Sequence, residues 1–232
     1  MRKTWWKILC IVIFFYVIVM GLVGPVPRLA IINESIRNTY YHVAIWLSMI
    51  TILFVSMIFS VKYLNKGRIE DDDISSELAK SGIFFGLLGC LTGSIWANYT
   101  WGDPWPNDPK LNGAAVGILI YLAYLLLRSS FEDEQRRARI SSVYNIFAFA
   151  VFIPIIYVLP RLTDSLHPGS GGNSTFGSYD FNSDIRKVFY PAVIGYILLS
   201  LWLAELRIRV KRINRVREER IADAPTQFDG QV

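Results

Sequence analysis

Charged residues are scarce in this chain of 232 residues. They make up 19% of it, against 53% hydrophobic residues, and the mean hydropathy is +0.34. A soluble domain of this size carries more charge and buries its apolar residues in short periodic stripes. Here the apolar residues form unbroken blocks long enough to cross a hydrocarbon core, which takes about 20 residues each. The composition excludes an ordinary soluble domain and predicts a membrane protein.

Other absences narrow the function. The two cysteines, Cys10 and Cys90, both lie inside apolar blocks, so neither a disulfide framework nor a C-x-x-C site is present. No G-x-x-x-x-G-K-S/T motif occurs, which excludes ATP hydrolysis by this chain. Ionisable residues are missing from the middle of every apolar block, whereas proton-coupled transporters usually carry them there. These absences disfavour a pump or a coupled transporter.

The apolar blocks predict an all-α, polytopic membrane protein that forms a single domain over residues 1–232, with six transmembrane helices. The predicted spans are residues 5–23, 43–64, 78–97, 113–127, 142–159 and 188–206. Alternate connections differ in charge, because 18 of the 24 Lys and Arg residues fall on one side and six on the other. By the positive-inside rule both termini are cytoplasmic, including a basic tail over residues 207–232.

Two charged stretches are interpreted from this topology. The net charge of +5 comes from basic residues at the ends of apolar blocks, so we expect a lipid bilayer and no nucleic acid as partner. The acidic run from Glu70 to Asp73 lies in an inner connection, where we expect a solvated surface loop.

The chain contains two histidines, His42 and His167, and the topology places both on the extracytoplasmic side. Imidazole is the usual protein ligand of haem iron, and zinc would require more ligands than two. A histidine before a span also fits a headgroup contact, and one followed by Pro168-Gly169 also fits a turn. Residue type alone leaves these readings open.

The connection over residues 96–111 is rich in aromatic side chains, including Trp96, Trp101 and Trp105. Aromatic residues at a membrane interface usually form a headgroup belt, but a belt has no need of three prolines and a glycine that shape the chain. Rings on a rigid, non-helical loop suit a large planar π-system, and Lys110 can meet a carboxylate. Shape and charge together favour a porphyrin.

The same connection resembles the tryptophan-rich WWD motif of haem-handling proteins, W-G-x-x-W-x-W-D-x-[RK]-L. The matching residues are Trp101, Gly102, Trp105, Asp108, Lys110 and Leu111. Six spans, this loop between the third and fourth, and one histidine on either side of it resemble the cytochrome c maturation protein C (CcmC, haem exporter protein C) family over nearly the whole chain. The related CcmF and CcsA proteins carry the loop in longer chains with more spans and more histidines.

The resemblance implies a haem-binding and haem-delivery subunit for cytochrome c biogenesis in the bacterial inner membrane. Haem b would be a transient cargo, with His42 and His167 as axial ligands of the iron and with propionates met by Arg37 and Lys110. The protein would act as a platform and not as an enzyme. The family implies the haem chaperone CcmE as recipient and CcmA, CcmB and CcmD as subunits of an ABC-type complex.

Two positions depart from the family pattern: Asn107 replaces the third tryptophan of the motif, and Asn112 stands where Thr or Glu is common. The loss of one ring implies weaker stacking, or a compensating role for Trp96 or Tyr99. The Gly/Ser-rich stretch over residues 169–178 is flexible by composition, which would let His167 swing away to release haem.

Two other functions remain as alternatives. The first is a haem b electron-transfer subunit that exchanges electrons with a quinone, although such subunits usually place their histidines inside the helices. The second is a metal sensor or a structural subunit of a transporter, in which the motif is a coincidence. The second alternative predicts a colourless purified protein.

Overall fold

The computed structural model describes residues 4–27, 33–167 and 181–222 of the chain, and these residues are built from helices. The elements are α1 (Trp5–Val23), a 3₁₀ helix (Asn33–Tyr40), α2 (His42–Lys66), α3 (Ile69–Trp101), α4 (Pro109–Ser129), α5 (Glu134–Ile153), a π-helical turn (Pro154–Val158), α6 (Leu159–Leu162) and α7 (Ser183–Ala222). The Gly/Ser-rich stretch over residues 169–178 and the last ten residues of the basic tail lie outside the described residues.

Among the residues that the structure describes, six helical segments are long and apolar enough to cross a membrane. Five of them contain α1, α2, α3, α4 and α7, and the other runs without a break from α5 through the π turn into α6. The predicted fold class, an all-α multi-pass membrane protein, is confirmed. All but the first helical segment extend beyond the predicted spans, because their polar end residues stay helical.

The two ends of the bundle carry different chemistry. The start of α1, the α2–α3 and α4–α5 connections and the end of α7 share one end, which we call the basic end. Ion pairs between Lys7 and Glu205, and between Arg207 and Glu77, join these elements. The 3₁₀ helix, the α3–α4 connection and the segment that follows α6 share the other, which we call the histidine end because it holds His42 and His167.

The acidic run does not form a solvated loop, and that prediction is wrong for three of its four residues. Helix α2 ends at Lys66 and α3 begins at Ile69, so the run falls in the first turns of α3. Glu70 is exposed, but Asp71, Asp72 and Asp73 are buried. Carboxylates are favoured at a helix N-terminus. Cations from other helices meet Asp72 and Asp73, and Arg68 at the start of α3 meets Asp71. We call these partners the ion-pair cluster; its links include Asp72 with Arg128, Asp73 with Arg215 and Arg68 with Asp71.

A row of glycines on α3 lets that helix pack closely along α2. Its members, spaced three or four residues apart, are Gly82, Gly86, Gly89 and Gly93. A Cβ atom on any of them would meet a side chain of α2 at less than 3.0 Å. Small residues at this spacing are typical of close helix packing in membranes. The row reaches the histidine end, where Gly93 faces the His42 ring and thereby fixes the place of the first candidate ligand.

Candidate functional site

The two histidines line one cavity at the histidine end of the bundle. Its wall is mostly apolar and comes from α2, α3, α4, the π turn, α7 and the residues next to them. The polar and aromatic side chains that line it include His42, Trp46, Trp96, Trp105, Lys110 and His167. Five of the predicted site residues therefore meet in one place, although they come from three separate parts of the chain.

His42 is the first residue of α2, and its ring is oriented by Thr92 of α3. The Nδ1 atom of His42 lies 3.1 Å from Oγ1 of Thr92. That hydroxyl donates its own proton to the carbonyl oxygen of Leu88 at 2.9 Å, so towards His42 it acts as an acceptor. Nδ1 of His42 consequently carries the hydrogen, and the lone pair is on Nε2. This tautomer leaves Nε2 available to a metal.

The position of the His42 ring is restricted by close packing. A Cβ atom on Gly93 would lie 2.7 Å from Cε1 of His42, so the ring occupies space that only a glycine leaves. Trp96 and Trp46 approach the same ring edge-on, with centroid separations of 5.7 and 6.5 Å. The first candidate ligand is held on a rigid helix between two indoles.

His167 is oriented in a corresponding way by Asp108. Its Nδ1 atom lies 3.1 Å from Oδ1 of Asp108, and a carboxylate accepts but does not donate. Nδ1 therefore carries the hydrogen, and Nε2 again has the lone pair. The ring of Trp101 packs edge-on against His167 at 5.1 Å between centroids. The two histidines thus have the same tautomer, each fixed by an acceptor at Nδ1.

Asp108 also organises the surrounding chain. Its Oδ1 accepts hydrogen bonds from the backbone N–H groups of Lys110 and Leu111, which caps α4, and Pro109 at the first helical position suits this cap. Its Oδ2 accepts from the hydroxyl of Ser165 at 2.8 Å and from the N–H of Leu166 at 2.7 Å. One buried carboxylate therefore ties the start of α4 to the segment that carries His167.

The surroundings of Asp108 and His167 shift the pKa values of both side chains. Burial by itself raises the pKa of the Asp108 carboxyl, but the hydrogen bonds from His167, Leu166 and Ser165 outweigh it and bring the pKa well below the usual range. Burial lowers the pKa of the His167 imidazole, and the Asp108 carboxylate offsets this only in part. At neutral pH the pair consists of a carboxylate and a neutral imidazole, which is the form that ligates metals.

The irregular part of the Trp-rich connection is shorter than predicted. We expected a non-helical loop over residues 96–111, but α3 continues through Trp101 and α4 begins at Pro109. Helix α3 ends where Gly102 adopts φ +79°, a left-handed conformation suited to glycine, and its N–H bonds to the carbonyl of Asn98. Trp96 and Trp101 are therefore presented by a helix, and only Trp105 by the loop.

The two positions that depart from the family pattern bond to each other. Nδ2 of Asn112 donates to Oδ1 of Asn107 at 2.9 Å, and Oδ1 of Asn112 accepts from Nε1 of Trp105 at 3.3 Å. The backbone N–H of Trp105 is held by Asp103 at 2.9 Å. In this chain the pair of asparagines replaces the missing ring with a support for the indole of Trp105.

Three predicted site residues do not line the cavity. Trp101 and Asp108 contact His167 but do not themselves line the cavity. The guanidinium of Arg37 bonds to Glu34 and to the carbonyls of Gly21 and Gly24, which join the 3₁₀ helix to the end of α1. Lys110 lines the cavity, so a cation is present at the site.

Sequence reasoning missed Trp46, Thr92 and the role of Asn112. Trp46 follows His42 by four residues, and this spacing on a helix indicates a shared face, so it could have been found. Thr92 and Asn112 carry no such signal, because their partners lie on other elements or across a turn.

Comparison with known proteins identifies the family. The sequence model of the family described as Heme exporter protein C matches residues 2–223. The chain belongs to the heme exporter protein C family. The resemblance inferred from the WWD motif and the two histidines is thereby confirmed.

Individual heme exporter C proteins are similar over most of their length. Heme exporter protein C of Escherichia coli (strain K12) is 26% identical over 184 residues, which cover 76% of this chain and 70% of that protein. The protein of the same name from Haemophilus influenzae is 26% identical over 189 residues, covering 77% and 72%. That from Bradyrhizobium diazoefficiens is 28% identical over 197 residues, covering 83% and 73%. Their name states haem export, which agrees with a haem-handling membrane protein.

Proposed function

We propose that this heme exporter protein C binds haem b at the histidine end as a transient cargo and delivers it to the haem chaperone CcmE during cytochrome c biogenesis. One observation carries the proposal: two imidazoles line a single, mostly apolar cavity, and each is held at Nδ1 by a hydrogen-bond acceptor. The acceptors are Thr92 for His42 and Asp108 for His167. Such partners fix the orientation and increase the basicity of a ligating histidine.

The iron would be held by Nε2 of both histidines. Two imidazole ligands give a low-spin, six-coordinate haem, which needs no open coordination position because the protein does no bond chemistry of its own. The apolar wall and the indoles of Trp46, Trp96 and Trp105 suit the body of a porphyrin. The site is therefore proposed as a platform and not as a catalytic centre.

The propionates require cations. Lys110 lines the cavity and is proposed to meet one of them. Arg37 is proposed for the other, and it would have to exchange some of its bonds to Glu34, Gly21 and Gly24 for the propionate. Because those bonds hold the end of α1, binding of a propionate by Arg37 would change the contacts of that helix.

Delivery requires one ligand to leave. His42 stands on a long helix and is wedged against Gly93, whereas His167 lies in an irregular segment after α6 and depends on Asp108 for its position. Segments outside regular helices rearrange at lower cost. His167 is thus proposed as the ligand that the chaperone displaces.

The proposed setting is the bacterial inner membrane, with both termini in the cytoplasm and the histidine end outside. The excess of Lys and Arg at the basic end supports this orientation. The subunits proposed to accompany the chain are CcmA, CcmB and CcmD, and any energy from ATP would be supplied by that complex.

The test is the absorption spectrum of the detergent-purified protein, without a His tag, from haem-replete membranes. Wild type is expected to show a low-spin Soret spectrum, and His42→Gly and His167→Gly are expected to weaken or shift it. Added imidazole should restore the low-spin form in the His167→Gly variant. Such recovery would show that the imidazole of His167 is a ligand and is not needed for folding.

Two outcomes contradict the proposal. A folded wild type that stays colourless when haem is supplied rules out the platform. A haem that never leaves in the presence of CcmE, but cycles reversibly between oxidation states and reduces a quinone, would instead establish the alternative of a haem b electron-transfer subunit.

A further inference from the structure

We propose that the part of α7 from Leu206 to Ala222 forms a docking surface for an acidic, amphipathic helix of a different protein at the basic end. The surface, which we call the α7 stripe, consists of Leu206, Val210, Ile213, Val216 and Ile221. These side chains are exposed, with Val210 at 57%, Ile213 at 66% and Ile221 at 65%. An exposed row of apolar side chains on a helix marks an interaction surface.

The α7 stripe faces away from the helix bundle. On the opposite side of α7, Arg207 bonds to Glu77 and Arg215 bonds to Asp73 and Glu134, so this side faces α3 and reaches the first residue of α5 through an ion pair. Lys211 also lies on this side, with Nζ 4.0 Å from a carboxylate oxygen of Asp73. Ile213 is two residues from both Lys211 and Arg215, which corresponds to about 200° of rotation around an α-helix. The bundle therefore uses one side of α7 and leaves the stripe on the other.

The stripe extends beyond the membrane. The ion pairs of Glu205 and Arg207 mark the level at which α7 leaves the apolar part of the bundle. From Leu206 to Ile221 the helix rises about 22 Å, whereas the headgroup layer on each side of a bilayer adds only about 5–8 Å. Ile213, Val216 and Ile221 consequently lie past the lipid headgroups, where exposed apolar side chains have a cost in water.

The helix has no point at which it could bend down onto the membrane surface. From Tyr196 to Ala222 the sequence contains neither glycine nor proline, and α7 is continuous to Ala222. Sharp helix kinks almost always need such residues or an inserted group. A lipid surface is therefore a poor occupant of the stripe.

Charge identifies the occupant. Arg217 stands four residues after Ile213 and Arg220 stands seven residues after it, which places both on the face of the stripe. The acidic neighbours Glu218 and Glu219 fall at other angles. A second copy of this chain would bring like charges together in the parallel orientation that the membrane imposes, so self-association is disfavoured. A partner helix that has an apolar row flanked by carboxylates is complementary to the α7 stripe and its arginines.

The test uses full-length protein in nanodiscs of zwitterionic lipid and two fluorescent helical peptides. Both peptides carry the same leucine row, flanked by Glu in one and by Lys in the other. Fluorescence anisotropy is expected to show binding of the Glu peptide only. Ile213→Asp, and separately Arg217→Glu with Arg220→Glu, should weaken it about ten-fold or more.

The matched control is Glu218→Arg, which changes charge at an exposed neighbour about 140° away from Ile213; its affinity should equal that of wild type. No binding of the Glu peptide by wild type, equal binding of both peptides, or equal loss in the control overturns the proposal. Haem spectra of the same variants are expected to be unchanged, so failure here is distinguishable from failure of the proposed haem site.

A spin label attached to an Ile213→Cys variant, in a background with Cys10→Ala and Cys90→Ala, distinguishes the other possible occupants of the stripe. A water-soluble nickel complex is expected to increase the relaxation rate of the spin label. An increase caused by oxygen alone would identify lipid as the occupant. Dipolar broadening between labels would identify a second copy of the chain. Either result overturns the proposal.

Discussion

Asp108 and His167 are joined by a hydrogen bond of 3.1 Å between a carboxylate oxygen and Nδ1, and the same carboxylate caps α4. A single acidic side chain thus couples the position of a candidate haem ligand to the start of a membrane helix. The motif aspartate therefore supports the candidate ligand by a hydrogen bond and does not itself line the cavity. Asp108 therefore has two roles: its charge supports His167, and its side chain caps α4. The two roles can be tested separately.

Asp108→Asn is expected to weaken haem binding by about 10–100-fold, the usual effect of removing a partner behind a metal-ligating histidine. Asparagine caps helices about as well as aspartate, so α4 should remain intact. Asp108→Ala removes the cap as well and should cost about 1 kcal/mol of stability in addition. The measurement is a haem titration followed at the Soret band, together with thermal unfolding.

The control for this change is Asp164→Asn, which removes an exposed carboxylate three residues before His167. It should bind haem as wild type does. Equal affinity of Asp108→Asn and wild type would show that the carboxylate does not support a ligand.

Thr92 is predicted to support His42 in the same manner. Thr92→Val removes the acceptor at Nδ1 with little change in volume and should lower haem affinity by about ten-fold, whereas Thr92→Ser keeps the hydroxyl and should have little effect. The matched control is Thr51→Val, because the hydroxyl of Thr51 bonds to the carbonyl of Leu47 in its own helix. If both valine variants lose affinity alike, the support of His42 by Thr92 is disproved.

His167 should titrate below its ordinary pKa of about 6.5, since burial disfavours the imidazolium. The stability that the neutral form contributes is therefore complete above the ordinary pKa and is lost as the pH falls through the lower, folded-state value. Because the Asp108 carboxylate favours the imidazolium, Asp108→Asn should lower the pKa of His167 further.

NMR titration of histidine-labelled apo protein measures this shift directly. The chain has two histidines, so the His42→Ala variant assigns both signals. A pKa of His167 above 6.5, or a rise in Asp108→Asn, would contradict the buried pair described here.

The acidic run and the two histidines show which features of the structure can be predicted from the sequence and which cannot. The apolar blocks predicted all six spans, because a bilayer demands continuous apolar length whatever the packing. The burial of Asp72 and Asp73 was not predictable in this way, since their partners Arg128 and Arg215 are 56 and 142 residues distant and meet them only in the packed bundle. Local pattern gives the crossings but not the contacts between them.

The same limit applies to the site. With two histidines in the chain, both on one side by charge count, His42 and His167 were natural candidates. Thr92 was not, because a threonine inside an apolar span has no distinguishing pattern until the glycine row brings α3 against α2. Likewise, Asn107 and Asn112 looked like defects in a motif, and only their mutual hydrogen bond explains how Trp105 is held.

The ion pair between Asp72 and Arg128 gives the last prediction. Both side chains are buried, and the guanidinium makes two hydrogen bonds to the carboxylate, at 2.8 and 2.5 Å. Removing one partner leaves an uncompensated buried charge, so Asp72→Leu or Arg128→Met alone should lower the free energy of unfolding by about 3–5 kcal/mol. The double variant should recover most of this loss, because replacing both charges with apolar groups is often neutral.

The control is the exposed pair of Lys187 and Asp184 at the histidine end, whose removal should change stability by less than about 1 kcal/mol. Unfolding is measured by steric trapping in bicelles, with the haem spectrum as a check on the distant site. A double variant as unstable as the sum of the single ones would show that the charges act through separate partners in the ion-pair cluster. Recovery in the double variant would instead show that Asp72 and Arg128 stabilise the bundle mainly by pairing with each other.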